Sequence, residues 1–309
     1  MTAAIRPDGV TPSIIRKTGG VRAAVSLGIP GLSMKDSSGR WIGMDADFAR
    51  ALAAATTGDP DAVGWLPVAP EDRVAAVRDG KADIGVCNAS WTLRREAEVL
   101  FPGVLVHDGE GFLVHADLGV RGAEDLAGRR VVIQAGTTSA QNLARWHQAG
   151  GPAVHAVEAG TPAEAVRGYV EHRFDGYVLD RTALAGIRAG LADPERHLLL
   201  PDVISDEPLG PFVAPESTGL FVAARWVLHL LFAAEAAQRH AHPFDRAEAD
   251  ALGERIGLVP GWATTVLASV GHYGDMFARN LGAESPRSLP RGRNALWLDG
   301  GLHYAPPFR

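Results

Sequence analysis

The 309-residue chain is poor in cysteine and in lysine. Its single cysteine, Cys87, excludes an internal disulfide, a paired-cysteine redox motif and a zinc site built from several cysteines. Three lysines (Lys17, Lys35 and Lys81) leave few candidates for Schiff-base chemistry. No run of basic residues interleaved with aromatics is present and the formal net charge is -6, so we expect no nucleic-acid partner.

The first twenty residues lack the apolar core of about 7–15 residues that an export signal needs, and no cysteine near the start could carry a lipid anchor. The sequence as written therefore predicts a cytoplasmic protein; a periplasmic or extracellular location would require a different start. The most apolar stretch, Leu220 to Ala234, is interrupted by Arg225 and His229 and predicts a buried helix.

At 32.6 kDa the chain predicts two lobes. Short apolar runs alternate with helical patterns up to about residue 216, which favours α/β architecture with parallel sheets. The sharpest helix start is Thr161-Pro162-Ala163-Glu164, which offers a capping hydroxyl, a proline in the first turn and a glutamate that can reach back. From Glu216 to His240 the pattern predicts one long helix.

Polar residues follow the strand that is predicted to end at Cys87. Asn88, Ser90 and Thr92 come first, and Arg94 and Arg95 come next. Ligands of open α/β sheets lie beyond the carboxyl ends of strands, and a guanidinium matches a carboxylate with two parallel hydrogen bonds. The alternative is a polar loop that caps a helix, with both arginines solvated.

Two further strand ends carry complementary groups. Gly136 and Thr138 open a predicted helix, whose first amides are suited to an anion; the alternative is a structural cap. Asp180 ends another strand and could cap the next helix or bind an ammonium group. A carboxylate held by an arginine and an amine held by an aspartate together match a free α-amino acid.

Other chemistries lack their motifs. The eleven histidines form no convincing metal set, so no metal and no cofactor is expected. The glycine fingerprint of dinucleotide-binding folds and the nucleophile elbow of hydrolases are both missing.

The order of motifs resembles the family 3 solute-binding proteins of polar amino-acid ABC importers, in particular their general L-amino-acid-binding branch. The segments that carry this resemblance are Gly39 to Asp47, Arg73 to Asp83, Asn88 to Glu96, Asp108 to Phe112, Gly136 to Thr138, Glu207 to Pro211 and Gly300 to Pro307. They run through nearly the whole chain.

The resemblance implies a periplasmic-binding-protein type II fold, with two α/β lobes, a hinge and an interlobe cleft that closes on the ligand. Lobe 1 would hold residues 1–106 and 216–309, and lobe 2 residues 107–215. A small-molecule amino acid would be the ligand and an ABC permease a possible partner. The implied site residues are Arg95 on the α-carboxylate with Ser90 and Thr138, Asp180 on the α-amino group, and Asn88 beside them.

Two departures from the family pattern lie at the predicted crossover. Glu110 stands where a glutamine is usual and His107 where a tyrosine is usual. An acid and a base near a closing cleft are suited to acid/base catalysis. A second function is therefore open: a cytoplasmic dehydratase or lyase that acts on an amino acid or a cyclohexadienyl acid. Its catalytic candidates are Glu110 and His107. A binding protein, serving an importer or acting as a sensor, is the favoured function.

Overall fold

The computed structural model describes residues 9–135 and 138–309. The chain forms two compact units. Unit 1 comprises the described residues up to Val106 together with Pro208–Ser285 and Pro290–Arg309, and unit 2 comprises His107–Glu207 and Pro286–Leu289. Two short strands that pair with each other, β6 (Val106–Asp108) and β12 (Glu207–Leu209), contain the first two crossing points.

Unit 1 is built on a four-stranded sheet. Its strands are β1 (Val21–Ser26), β4 (Val63–Val68), β5 (Ile84–Gly85) and β13 (Phe212–Val213), in the order β13-β5-β1-β4. Strand β1 runs parallel to both β4 and β5. A small hairpin of β2 (Met34–Lys35) and β3 (Trp41–Ile42) follows β1. The parallel strands β1 and β5 therefore direct their carboxyl ends to one edge of unit 1.

The helices of unit 1 pack around an alanine-rich centre. They are α1 (Pro12–Thr18), α2 (Met44–Thr57), α3 (Arg73–Arg78), α4 (Leu93–Glu96), α8 (Thr218–His240), α9 (Arg246–Arg255), α10 (Trp262–Val270) and α11 (Tyr273–Asn280). Helix α2 contacts α1, α8, α10 and α11, because its small side chains allow close approach. Gly43, which precedes α2, has φ +120°, and a Cβ there would lie 2.1 Å from the Leu32 carbonyl oxygen. Only glycine fits this turn.

Within the described ranges, α8 alone is long and apolar enough to cross a membrane by length and composition. Its contacts with α2, α10 and α11 bury residues on most of its faces, including Leu220, Val227 and Leu231. It is the core helix of unit 1, as the interrupted apolar pattern predicts.

Unit 2 is built on a five-stranded sheet with the order β11-β7-β10-β8-β9. Its strands are β7 (Glu110–His115), β8 (Arg130–Gln134), β9 (His155–Ala159), β10 (Gly176–Asp180) and β11 (His197–Leu199), and its helices are α5 (Ser139–Gln148), α6 (Pro162–Val170) and α7 (Arg181–Ala189). Helix α6 starts as predicted: Thr161 and Glu164 form a reciprocal capping box, and Pro162 lies in the first turn.

Two details differ from the sequence-based expectations. Both sheets are mixed, because β7 runs antiparallel to β10 in unit 2 and β13 runs antiparallel to β5 in unit 1. The chain also returns to unit 1 at Glu207/Pro208 rather than after residue 215. The physical reason is the pairing of Phe212 with Gly85, which makes this segment a strand of the unit 1 sheet.

Candidate functional site

In unit 1 the carboxyl ends of β1 and β5 are tied together by Arg73. Its Nη1 donates a 3.0 Å hydrogen bond to the Asn88 carbonyl oxygen, and its Nη2 donates one of 3.3 Å to Ser26 Oγ. Asn88 has φ +56°, a left-handed conformation that asparagine tolerates better than most residues. The turn after β5 is thus fixed by a guanidinium at the strand ends, where the fold places ligands.

Asp45, in the first turn of α2, lies near the Arg73 guanidinium and the Asn88 backbone amide. It is 6% exposed. Burial raises its pKa to about 7, although the Arg73 guanidinium and the Asn88 backbone amide both favour the ionised form. This corner of unit 1 therefore holds a carboxyl group that titrates near neutral pH. The proximity of Asp45 to Arg73 was missed from the sequence, because the two residues lie far apart along the chain and other charged residues flank each of them.

Arg95 lies on the short helix α4, which starts at the capping residue Thr92. Thr92 Oγ1 accepts a 3.3 Å hydrogen bond from the Arg95 amide. The Arg95 side chain folds back, and its Nη1 donates a 2.7 Å hydrogen bond to the Ser90 carbonyl oxygen. Ser90 is itself held in an isolated β-bridge to Leu209. The structure thus brings the predicted residues Asn88, Ser90 and Arg95 together, and it leaves the neighbouring Arg94 exposed.

In unit 2 the predicted residues Thr138 and Asp180 lie at the carboxyl ends of neighbouring parallel strands: Thr138 comes after β8, and Asp180 is the last residue of β10. Thr138 is the exposed residue before α5. Asp180 is half-buried at the capping position of α7, yet its side chain makes no capping hydrogen bond within the described residues. The predicted turn residue Gly136 lies outside the described part of the chain, as does Thr137.

Glu110 lies beneath the start of α5 and is 2% exposed. Ser139 Oγ donates a 2.6 Å hydrogen bond to its Oε1, and Asn142 Nδ2 donates one of 3.1 Å to its Oε2. The same Asn142 nitrogen reaches Glu207 Oε1 at 3.4 Å. Burial raises the pKa of Glu110, and the nearby carboxyl groups of Glu207 and Asp108 raise it further. Glu110 holds the first turn of α5 with both of its oxygens.

The other residue singled out at the crossover, His107, is half-buried in β6. Next to it, Asp108 accepts hydrogen bonds from the Gly109 amide at 2.9 Å and from both the amide and the hydroxyl of Thr182. Burial raises the pKa of Asp108. Among the residues that the structure describes, no group of three or more His, Cys, Asp or Glu is arranged to hold a metal ion.

Comparison with known proteins shows the family. Residues 21–266 match the model of the bacterial extracellular solute-binding proteins, family 3. The chain belongs to this family.

Two relatives match over most of their length. The general L-amino acid-binding periplasmic protein AapJ of Rhizobium johnstonii is 35% identical, with 98% of this chain and 94% of AapJ covered. The glutamate/glutamine/aspartate/asparagine-binding protein BztA of Rhodobacter capsulatus is 36% identical, with 91% and 88% covered.

A solved structure agrees with these relatives. An ABC transporter/periplasmic binding protein from Brucella ovis, with glutathione bound, superimposes with a TM-score of 0.86 and 32% identity, over 96% of this chain and 99% of that one. These similarities confirm the predicted α/β binding-protein fold.

The predicted cytoplasmic location is wrong. The matching family is described as extracellular, and both AapJ and the Brucella protein are named periplasmic. These findings point to the periplasm. The lack of a signal pattern in the first twenty residues therefore led to the wrong prediction.

Proposed function

We propose that this chain binds a free α-amino acid and delivers it to the permease of an ABC importer. The observation that carries the proposal is the Arg95 side chain, which a hydrogen bond to Ser90 holds in place at the carboxyl ends of the unit 1 strands. Full-length relatives that are named as amino-acid-binding proteins support it.

In this proposal Arg95 binds the α-carboxylate. A guanidinium that is already held by one hydrogen bond loses less side-chain freedom on binding than a solvated one. Ser90 and Asn88 lie on the same turn, and Thr138, at the start of the ten-residue helix α5, adds the favourable field of a helix N-terminus.

Asp180 binds the α-ammonium group. Asp180 is the last residue of β10, the central strand of the unit 2 sheet, and it is half-buried there. A carboxylate at a strand end lies where open α/β sheets bind their ligands. Together, a charge-assisted contact at each end of the ligand supplies much of the roughly 8 kcal/mol that micromolar affinity requires.

The test is titration calorimetry of the purified chain against the twenty amino acids and glutathione. We expect at least one α-amino acid to bind, and we expect Arg95→Ala and Asp180→Asn each to weaken its binding at least a hundredfold. Arg94→Ala is the matched control, because it removes an exposed arginine from the same helix and should leave affinity unchanged. Unchanged affinity in Arg95→Ala would refute the assignment.

Catalysis is checked in the same samples. Mass spectrometry of the bound amino acid after incubation should recover it intact, as expected for a binding protein. Conversion of an amino acid or a cyclohexadienyl acid, lost in Glu110→Gln, would favour the enzyme instead.

A further inference from the structure

A second concave site lies within unit 1, on residues that the proposed amino-acid site does not use. It is a pocket of about 410 Å³ on the outer edge strand β4 and the hairpin β2–β3, and we call it the Trp41–Trp65 pocket. The residues that matter for its chemistry are Lys35, Arg40, Trp41, Arg50, Asp61 and Trp65. Its size falls within the range of small-molecule pockets.

The wall of this pocket is aromatic. The rings of Trp41 and Trp65 lie 6.0 Å apart between centroids, tilted by 31°. Lys35 Nζ lies 5.5 Å from the Trp41 ring and the Arg50 guanidinium carbon 5.4 Å from the Trp65 ring. Each indole therefore makes a cation–π contact, and these two contacts hold Lys35 and Arg50 at the wall of the pocket.

Positive charge exceeds negative charge in this lining. The lining holds three cations, Lys35, Arg40 and Arg50, and one carboxylate, Asp61. Arg40 Nη2 lies 3.1 Å from Asp61 Oδ1, and Arg50 Nε lies 3.5 Å from the same oxygen. No ion pair of Lys35 with a carboxylate occurs among the described residues.

Arg50 is the least exposed of these cations, with 6% of its surface accessible. Its Nε makes no hydrogen bond within the described part of the chain, and its second carboxylate neighbour, Asp47, is 3.9 Å away. Burial lowers the pKa of Arg50 and the adjacent Arg40 lowers it further, whereas Asp47 and Asp61 act in the opposite direction. A guanidinium in this state gains strongly from an anion that can accept two hydrogen bonds.

We propose that the Trp41–Trp65 pocket binds a small multivalent oxyanion, a polycarboxylate or a phosphate compound, between Lys35, Arg40 and Arg50. The lining has three positive side chains and one negative one, so an anion with two negative charges neutralises it. A monovalent anion leaves part of that excess uncompensated and binds more weakly.

The experiment is calorimetry with citrate and, separately, inorganic pyrophosphate, with sodium chloride of matched ionic strength as the reference. We expect saturable binding of at least one of the two probes, weakening as salt rises because the rim is exposed. The double variant K35Q/R40Q should weaken binding at least tenfold. Binding of citrate alone would assign a polycarboxylate, and binding of pyrophosphate alone a phosphate compound.

The matched control is K17Q/K81Q, which removes the same net charge from exposed positions outside the pocket. Equal loss in the two double variants, or no saturable binding of either probe, would overturn the proposal. Arg95→Ala should retain oxyanion binding while losing amino-acid binding, so failure of this site and failure of the proposed function are distinguishable.

Discussion

Ser139, the first residue of α5, donates its hydroxyl to the buried carboxyl group of Glu110 at 2.6 Å. An acidic group thus sits under a helix start whose own dipole attracts negative charge. Asn142, one turn further along α5, donates its side-chain amide to both Glu110 and Glu207, so the two carboxyl groups share one donor. The arrangement makes the stability of unit 2 depend on pH.

Glu110→Gln should flatten that dependence. The native fold raises the pKa of Glu110 above its ordinary value of 4.5, so the folded state holds a proton that the unfolded state releases. Stability therefore falls as pH rises through and above 4.5 in the unmodified chain, and the variant lacks this contribution. Urea unfolding from pH 4 to 8 measures it. Glu158→Gln, at an exposed position, should keep the original slope. An unchanged slope in Glu110→Gln would contradict the prediction.

Asp45→Asn should stabilise unit 1 at pH 7 and above. The pKa of Asp45 rises from 3.8 to about 7 on folding, so ionising it costs stability progressively between these two values. This rise in the pKa of Asp45 corresponds to at most about 4 kcal/mol of unfolding free energy. Thermal unfolding at pH 5 and pH 8 should show the gain mainly at pH 8, whereas the exposed control Asp72→Asn shows none. Destabilisation at pH 8 would mean that the attraction between the ionised Asp45 and the Arg73 guanidinium outweighs the cost of burial.

A histidine cluster in unit 2 should weaken the fold in acid. The His115 ring stacks on those of Tyr169 and His172 at 4.2 and 3.9 Å between centroids, and His197 lies 5.2 Å away. Burial lowers the pKa of His115 and of His197 below 6.5; the neighbouring histidines lower them further, and Asp117 acts in the opposite direction. Stability is then present above pH 6.5 and lost as pH falls below it.

The test of this cluster is His115→Phe, which keeps a stacked ring and removes the proton site. The Tyr169 carbonyl oxygen still accepts the His172 amide at 3.0 Å. We expect the loss of stability between pH 7 and pH 5 to be smaller in this variant, as followed by denaturant unfolding. His155→Asn, at an exposed position, should behave like the unmodified chain. An equal acid loss in His115→Phe would rule out the cluster as its source.

Gly85→Ala should destabilise unit 1 by overpacking. A Cβ at this position would lie 2.2 Å from the ring of Phe212, its partner on β13, and Phe212 is fully buried. We expect a loss of about 1–3 kcal/mol in the free energy of unfolding. Gly85→Ala should cost less free energy of unfolding in the Phe212→Leu background than in the unmodified chain, because leucine leaves room for the added Cβ. If the free-energy changes of the two single variants simply add up in G85A/F212L, the Cβ at position 85 does not clash with the ring at position 212.

The sequence predicted features that local chemistry determines. Thr161, Pro162 and Glu164 lie within one turn and were sufficient to locate the start of α6. The alternation of strands and helices predicted the α/β class, and the polar residues after Cys87 do lie on one turn, where Arg95 donates a hydrogen bond to the Ser90 carbonyl oxygen.

Features that depend on distant contacts were not predicted. Strand β13 is two residues long and pairs with β5 across more than a hundred positions, so its place in unit 1 left no local pattern. The three histidines of the unit 2 cluster come from β7, the turn after α6 and β11, and no spacing rule connects them. Asp45 and Arg73 likewise meet only once the chain has folded.

The path of the chain through its two crossings has an engineering consequence. Unit 2, apart from the short segment Pro286–Leu289, is one uninterrupted insertion that leaves unit 1 on β6 and returns on β12. Because these strands are paired neighbours, the two ends of the insertion are already adjacent. In unit 2 produced as a separate chain, a short linker joins these ends and new termini can be opened in an exposed loop. In the full chain, the whole insertion can be exchanged with that of a relative without breaking the unit 1 sheet.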